Sequence, residues 1–290
     1  MAAGDLIARE AQIEFNGLLL GMDTPFEGIK LQGWGDLNVS LGNAPRNSRH
    51  GSWPGRARAP ERVVTFDFQV NTDWADFAAQ IDALERATAI PTGSTEYPLV
   101  VRTPAATRMV RAKCTARVLP EDYLYMAGGP VGVLQWVASD PRRYEVTERS
   151  ATITSPTSGS GGLTYPLTYP LDYGTAGSPA NATCTNFGTA ETNPTLVLTG
   201  PITTPRIINS TLGRTLEFNL DLLAGQTLTI DTDAGTVMLN GTTDRLYTRT
   251  NLSVPVEMFE FGPGDNDITL LAAAFGVNAQ MAITWQSAYL

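Results

Sequence analysis

Hydrophobic and polar residues alternate along three short segments in the first half of the chain. Every second residue is apolar in residues 37–41, 64–70 and 110–118. This period of two predicts strands that bury one face and expose the other, as in an antiparallel sheet. Cys114 shares the phase of the apolar positions in its segment. We therefore expect its side chain to point inward with theirs.

A hairpin and a helix are predicted beside these strands. Asn16-Gly17 separates Gln12-Ile-Glu-Phe15 from Leu18-Leu-Leu20, which is the spacing of a two-residue hairpin whose turn needs positive φ. Asp73 can cap a helix that runs to about Ala89. Apolar residues recur at helical spacing along one face of it: Trp74, Phe77, Ala78, Ile81 and Leu84. One helix packed on a sheet is the expected core of the first half.

In the second half, short predicted strands follow one another without a helical window. They cover residues 195–199, 215–222, 228–231, 237–239, 256–261, 268–271 and 280–289. Turn sequences separate them, as in Asn240-Gly241 and Gly262-Pro-Gly-Asp-Asn266. A regular run of such strands predicts a β-sandwich of the jelly-roll type.

Composition changes near the middle of the chain. Thr, Ser, Gly and Pro dominate residues 151–190, which hold no Lys or Arg. This predicts a domain over residues 1–150, an extended linker over 151–190 and a second domain over 191–290. The sequence Thr-Tyr-Pro-Leu occurs twice in residues 164–171. Each proline favours extended backbone at the preceding tyrosine, so we expect these side chains to pack along a domain, with an aromatic ligand platform as the alternative.

The balance of charge excludes several classes of protein. Lys and Arg number 20 against 29 Asp and Glu, and the net charge of −9 argues against nucleic-acid binding. Residues 151–290 hold 4 basic and 11 acidic residues, whereas residues 1–150 hold 16 and 18. The first residues lack the basic and apolar regions of a signal peptide, and no segment is apolar over the ~18 residues that a membrane span needs. Neither secretion nor membrane insertion is expected.

Patterns typical of catalysis are sparse. The single histidine, His50, lies in a loop rich in Gly, Pro and Arg, which favours an exposed loop residue over a general base. No phosphate-binding glycine motif and no paired Cys or His at ligand spacing occurs, and Cys114 and Cys184 are far apart. Four carboxylates are candidates for a glycosidase pair, but their alternation with core residues favours solvated positions: Glu217, Asp221, Glu257 and Glu260. We expect no enzymatic activity, no cofactor and no catalytic or metal-binding residues.

Two acidic turns place oxygen ligands at alternate positions, which is spacing that a Ca²⁺ site uses. They are Asp231-Thr-Asp233 and Asp265-Asn-Asp267. Neither leads to a distal bidentate glutamate. Because Asp and Asn also bond their own backbone in turns, structural turns are the favoured interpretation.

A basic segment interrupts this acidic protein. Between residues 46 and 62, Glu61 is the one acidic residue among five arginines. These arginines are Arg46, Arg49, Arg56, Arg58 and Arg62. A guanidinium binds a carboxylate through two parallel hydrogen bonds, so we expect contact with an acidic neighbour, for which another copy of the chain is a candidate. An exposed β-hairpin arm without a partner is the alternative.

A series of short motifs runs in order from the predicted domain boundary to the last residue. The series includes Ala138-Ser-Asp-Pro-Arg-Arg-Tyr144, Gly161-Gly-Leu-Thr-Tyr-Pro-Leu167, Asn186-Phe-Gly-Thr-Ala190, Gly200-Pro201, Leu223-Ala-Gly225, Val237-Met-Leu-Asn-Gly241, Gly262-Pro-Gly-Asp-Asn266 and residues 285–290. As an ordered set they resemble the siphophage distal tail protein (Dit) family of baseplate hub proteins. The first half agrees with that family in layout, through its hairpin, helix and basic loop.

The resemblance implies a mainly β protein with two β-sandwich domains. The N-terminal sandwich, with a packed helix and a β-hairpin arm, would close into a hexameric ring, and the C-terminal one would be galectin-like. Such a structural hub joins the tail tube to the tail-tip proteins. The implied partners are further copies of the chain, the tail tube protein, the tail-tip protein and receptor-binding proteins. The implied location is the virion tail tip, after synthesis in the cytoplasm of the bacterial host.

Two other functions compete with the hub. One is a carbohydrate-binding module at the tail tip that recognises the host wall, against which stand the few aromatic residues of 191–290 and its single tryptophan, Trp285. The other is a wall-degrading enzyme, which would need a catalytic carboxylate pair.

Overall fold

The computed structural model describes residues 2–156, 169–170 and 178–290. The chain divides into two compact units, residues 1–146 with Leu290, and residues 147–289. Strands at 149–154 and 181–186 belong to the second unit, so the ends of the segment expected to be a linker are parts of a sheet. Composition alone misses them because Thr and Ser are common both in linkers and on the exposed faces of strands. Of the Thr-Tyr-Pro-Leu repeat, only Tyr169 and Pro170 lie within the described residues, and Tyr169 is exposed.

The first unit contains twelve strands and two helices among its described residues. They are β1 (Gln12–Phe15), β2 (Leu18–Gly21), β3 (Phe26–Gln32), β4 (Ser40–Leu41), β5 (Ala44–Pro45), β6 (Ser52–Trp53), β7 (Ala57–Arg58), β8 (Arg62–Val70), α1 (Trp74–Ala87), β9 (Tyr97–Arg102), β10 (Thr107–Val118), α2 (Tyr123–Met126), β11 (Val131–Ala138) and β12 (Arg143–Glu145). Hydrogen-bonded strands follow the order β2-β1-β9-β10-β11-β8-β3, with β12 also paired to β10. All of these pairs are antiparallel.

The long strand β10 connects the two layers of this sandwich. Its first part pairs with β9 as far as Ala112, and its second part pairs with β11 from Lys113 onward. A bulge lies between Cys114 and Ala116. Because a bulge shifts the alternation by one residue, Val118 is exposed although the sequence places it with the buried face. Cys114 packs against the core while remaining half-buried.

Helix α1 covers one side of the core. It begins one residue after Asp73, whose side chain makes no capping hydrogen bond, and it buries Phe77, Ile81 and Leu84 as predicted. Trp74 and Ala78, which the helical spacing assigns to the same face, are exposed. Trp74 instead stacks on Phe77 with ring centroids 5.7 Å apart. The prediction was wrong for these two residues because the sheet covers a narrower face of the helix than the apolar spacing suggests.

The hairpin of β1 and β2 forms as predicted, with Asn16 and Gly17 at φ 47° and 80° in its turn. Strand β8 likewise buries alternate residues from Val64 to Val70. The alternation over residues 37–41 is different, because Leu37, Val39 and Leu41 are all exposed. The sheet does not extend under this segment, so the prediction of a half-buried strand was wrong there.

The second unit contains fourteen strands and two 3₁₀ turns among its described residues. The strands are β13 (Arg149–Thr154), β14 (Asn181–Asn186), β15 (Thr195–Thr199), β16 (Ile202–Thr203), β17 (Arg206–Asn209), β18 (Arg214–Glu217), β19 (Asp221–Leu222), β20 (Thr227–Asp231), β21 (Thr236–Leu239), β22 (Thr243–Asp244), β23 (Gly264–Leu271), β24 (Ala274–Phe275), β25 (Gln280–Trp285) and β26 (Ala288–Tyr289). Sheets of order β13-β25-β15-β20-β21-β22 and β14-β23-β17-β18 enclose a second core, and β19-β16-β24 form a small third sheet.

One predicted strand of this unit is a 3₁₀ turn. Val256–Met258 follows Pro255, whose carbonyl accepts a hydrogen bond from the Met258 amide at 2.9 Å. Val256 and Phe259 are three residues apart, so a single turn buries both. The prediction of a strand over residues 256–261 failed because a short apolar segment fits either period. No helix of the described residues is long and apolar enough to span a membrane.

Candidate functional site

The basic segment forms a β-hairpin arm, which we define as residues 37–60. Near its root, Ser40 pairs with Arg58 and Leu41 with Ala57. Further out, Ala44 pairs with Trp53 and Pro45 with Ser52. Such short strands give the arm few backbone hydrogen bonds of its own.

A close approach of two glycines lets the arm change direction between its strand pairs. A Cβ atom on Gly55 would overlap the carbonyl group of Gly42, so a side chain does not fit there. The Gly55 amide also donates to Asn43 Oδ1 at 2.8 Å. Outward of this point, the Arg46 guanidinium lies 4.5 Å from the centroid of the Trp53 ring, within the range of a cation–π contact.

Apolar side chains on the arm lack burial within the chain. Leu37, Val39, Leu41 and Trp53 are all exposed, Trp53 by 62%. Arg49, Arg56 and Arg58 are exposed on the same hairpin. The arm therefore presents an apolar and cationic surface, which is the composition of a contact with another protein.

Arg62 has a different environment from the other arginines. It is 5% exposed, and its Nη1 donates to the carbonyl oxygens of Gly33, Trp34 and Asp36 at 3.0, 2.9 and 2.8 Å. Its Nε donates to Pro141 O at 2.8 Å. Burial, and then the nearby charge of Arg143, lower the pKa of Arg62 from its ordinary value.

The Arg62 guanidinium thus fixes the root of the arm instead of facing a partner. We remove it from the predicted set of intermolecular contacts. A signal in the sequence could have identified it, because Arg62 has the same even-numbered phase in β8 as Val64 and Phe66, which point into the core.

An apolar cavity of about 370 Å³ opens beside edge strand β3. Phe66, Ile13 and Val101 form its buried wall, and Met22 and Ile29 are exposed on its rim. Glu27, Lys30 and Arg102 are the charged residues of its lining. It adds an exposed apolar surface to the first unit.

The described residues considered for catalysis are either exposed or bonded to neighbouring side chains. His50 is exposed in the outer part of the arm. Glu260 forms an ion pair with Arg214 at 2.9 Å, and the Glu217 carboxylate accepts a hydrogen bond from Thr250 Oγ1 at 3.3 Å. Asp221 and Glu257 are exposed. Among the described residues, no group of three or more His, Cys, Asp or Glu side chains is placed to hold a metal ion.

The two acidic turns have structural hydrogen bonds. Asp231 Oδ1 accepts from the amides of Asp233 and Ala234 at 2.9 and 3.0 Å, which closes the turn. Asp265 and Asp267 lie on strand β23 and accept from threonine hydroxyls of β14 at 2.6 and 2.7 Å. These contacts support the structural interpretation.

Asn266, between those two aspartates, is a buried residue whose importance the sequence did not indicate. Its Nδ2 donates to the carbonyls of Gly262 and Gly264 at 2.8 and 3.0 Å, and its Oδ1 accepts from the Gly262 amide at 2.9 Å. Asn209 Nδ2 donates to the same Oδ1 at 3.3 Å. The side chain therefore holds the Gly262-Pro-Gly-Asp-Asn266 motif against the sandwich.

One family model matches most of the second unit. Residues 187–289 match the model of the siphovirus-type tail component, C-terminal domain. The match covers the strands from β15 to β26. A comparison with curated proteins found no match.

Solved structures share the fold over nearly the whole chain. The SPP1 Dit protein, described as a paradigm of the hub adsorption apparatus in phages that infect Gram-positive bacteria, matches with a TM-score of 0.63 and 14% identity. This match covers 96% of the present chain and 99% of that one. A chain of the phage P2 baseplate in its activated conformation with Ca matches with a TM-score of 0.53 and 11% identity, over 94% and 96% of the two chains. Residues 187–289 are therefore similar to the siphovirus-type tail component, C-terminal domain, and the chain shares its fold with the SPP1 Dit protein.

Proposed function

We propose that this protein is the structural hub of a siphophage tail tip, a ring of six copies that joins the tail tube to the tail-tip proteins. The observation that carries the proposal is the fold shared with SPP1 Dit over 96% of this chain, together with the family match of residues 187–289. A hub needs surfaces for assembly and no reactive group, and the arm is a surface of that kind. Tail tube protein, tail-tip protein and receptor-binding proteins are its proposed partners in the virion.

The arm supplies part of the contact between neighbouring copies. In a closed ring, one surface of each subunit meets a different surface of the next, so a projecting arm and its receiving face need not be alike. Leu37, Val39 and Leu41 would gain burial in such a contact, which the isolated chain does not give them. Arg56 and Arg58 would bind carboxylates, of which an acidic chain has many.

The state of assembly tests the hub. Native mass spectrometry and negative-stain microscopy of the purified full chain should show a six-membered ring. A chain that stays monomeric at high concentration would contradict this proposal.

The contribution of the arm is tested with a charge-reversal variant, Arg56→Glu plus Arg58→Glu. Both residues are exposed, so the fold should survive the change. We expect the variant to be monomeric at physiological salt, and rings of the unchanged chain to weaken as salt screens the contact. Arg86→Glu plus Arg111→Glu is the matched control, since it reverses two exposed charges outside the arm. If the arm variant forms rings as readily as the control, the arm is not part of the contact.

A further inference from the structure

The second unit has a polar surface cavity of about 390 Å³ between the segment that joins β18 to β19 and the segment after β22. Its lining consists entirely of polar or amphipathic residues, with no aliphatic side chain among them. They are Asn219, Tyr247, Thr248, Arg249, Thr250 and Asn251. A cavity of this composition suits a hydrophilic ligand better than an apolar peptide.

The backbone around the cavity is fixed to the sandwich core. The Asn219 amide donates to Thr248 O at 2.8 Å, and the Thr250 amide donates to Glu217 O at 3.0 Å. Between these bonds, the backbone of Arg249 forms an isolated antiparallel β-bridge with Phe218, whose side chain is fully buried. On the other side of the 3₁₀ turn Leu246–Thr248, the Arg245 amide donates to Val237 O at 2.8 Å. A surface whose backbone is fixed before binding loses little conformational entropy when a ligand docks.

Tyr247 gives this surface an exposed aromatic ring. Its side chain is 73% exposed, while its hydroxyl accepts a hydrogen bond from Arg245 Nη1. The same guanidinium lies 5.8 Å from the ring centroid on one face, so a ligand would pack on the other face of the ring. Trp285, the single tryptophan of residues 191–290, is buried and cannot serve as a stacking surface for a ligand. An open ring beside amide and hydroxyl groups can pack against the C–H face of a sugar while the polar groups bond its hydroxyls.

The charges around the cavity balance one another. Arg245 and Arg249 are positive, and Glu217 and Asp244 are negative. Glu217 Oε2 accepts from Thr250 Oγ1 at 3.3 Å, and Asp244 Oδ1 accepts from the Leu246 amide at 2.8 Å, so both carboxylates lie close to the lining. Residues 151–290 as a whole are acidic, with 11 acidic against 4 basic residues. This balance disfavours a polyanion and favours an uncharged ligand.

We propose that this cavity is a binding site for a neutral saccharide. Tyr247 stacks against the sugar ring. The sugar hydroxyls form hydrogen bonds with the side-chain amides of Asn219 and Asn251 and with the Arg249 guanidinium. The proposal goes beyond the hub function and does not depend on ring formation. On the outer surface of a tail, such a saccharide site would bring the tail into contact with a cell surface.

The test uses the full chain and a defined set of oligosaccharides. Glucose, galactose and N-acetylglucosamine oligomers serve as neutral probes, and a glucuronate-containing oligomer serves as the anionic probe, with binding measured by saturation-transfer NMR and titration calorimetry. We expect binding of at least one neutral probe and weaker binding of the anionic one. Tyr247→Ala should lower the affinity by about tenfold, which is the loss of one stacking contact.

Two further variants separate the site from general effects of substitution. Tyr247→Phe keeps the ring and should bind within about threefold of the unchanged chain, as expected when one solvent-accessible hydrogen bond is lost. Tyr123→Ala removes an equally exposed tyrosine of the first unit and should change nothing. The proposal is overturned if no neutral probe binds at about 10 mM, the weakest affinity such a site would have. It is also overturned if Tyr247→Ala binds as well as Tyr123→Ala, or if the anionic probe binds best. Ring formation measured on the same samples keeps this outcome distinct from that of the hub proposal.

Discussion

Replacing Arg62 by alanine should destabilise the first unit while leaving the arm's surface chemistry intact. The guanidinium donates to four carbonyl groups from two separate segments, Gly33 to Asp36 and Pro141. Alanine removes both donor nitrogens, Nε and Nη1, and leaves a space at the root of the arm. The carbonyl of Trp34 is the most buried of these acceptors, so it would be the least able to bond water instead.

The size of the effect can be worked out from these contacts. A hydrogen bond from a charged donor contributes about 1.5–3 kcal/mol, so the three N–H groups of Nε and Nη1 give a gross loss of about 4.5–9 kcal/mol. The substitution also removes the cost of burying a charge, which is several kcal/mol before compensation. Three of the four acceptors are only partly buried, and water can replace some of the bonds. A net loss of about 2–4 kcal/mol follows, or a fall in Tm of roughly 5–15 °C for a unit of this size.

Tryptophan fluorescence during denaturant unfolding is a suitable assay, because four of the five tryptophans lie in residues 1–146. Arg58→Ala is the matched control: Arg58 is exposed on the arm and should change the free energy of unfolding by less than about 0.5 kcal/mol. Arg62→Lys should fall between the two, since one ammonium cannot reproduce the guanidinium fork. A loss of less than about 1 kcal/mol for Arg62→Ala, or a loss equal to that of Arg58→Ala, would refute the assignment of Arg62 as the anchor of the arm.

Two more predictions concern the second unit. Asn266→Leu should reduce the free energy of unfolding by about 3 kcal/mol, because it leaves buried groups of Gly262 and Gly264 without partners. Chemical denaturation would measure this, and Asn181→Leu, at an exposed position, is the control that should have little effect. Cys184 should resist a thiol reagent at pH 8 until the chain unfolds, because burial raises the pKa of its thiol to about 12 and leaves about one part in ten thousand as thiolate. Rapid labelling of Cys184 in the folded chain, followed by mass spectrometry of its peptide, would contradict this.

Much of the fold followed from period-two patterns and turn residues. Strand β8 and the Asn16-Gly17 hairpin were predictable because local sequence decides both, through alternation and positive φ. Two of the failures share one physical cause. Alternation at Leu37 and Val39, like helical spacing at Trp74, shows that one face is apolar and says nothing about whether the chain itself covers that face.

The candidate surface was only partly predictable for the same reason. Five arginines in one segment look alike in composition, yet Arg62 is buried while Arg49, Arg56 and Arg58 are exposed. The phase of β8 distinguishes Arg62, whereas no local pattern identifies Asn209 and Asn266, which meet through strands 57 residues apart. The sequence did not indicate Tyr247, because a single exposed aromatic residue in a short turn produces no periodic pattern.

The arm combines a root that depends on the chain's own carbonyls with an outer part that has almost no intramolecular support. Arg62 gives the root its direction, and the glycine contact at Gly55 shapes the hairpin beyond it. Exposure of an apolar side chain such as Leu41 to water is unfavourable in the isolated chain. Burial against a partner surface would remove that cost. Substitutions at the root should therefore reduce the stability of one copy, and substitutions further out should reduce assembly at unchanged stability. Measuring unfolding and ring formation on the same variants separates these two roles, because an arm that served only as an exposed loop would show the loss of stability at its root without any loss of assembly further out.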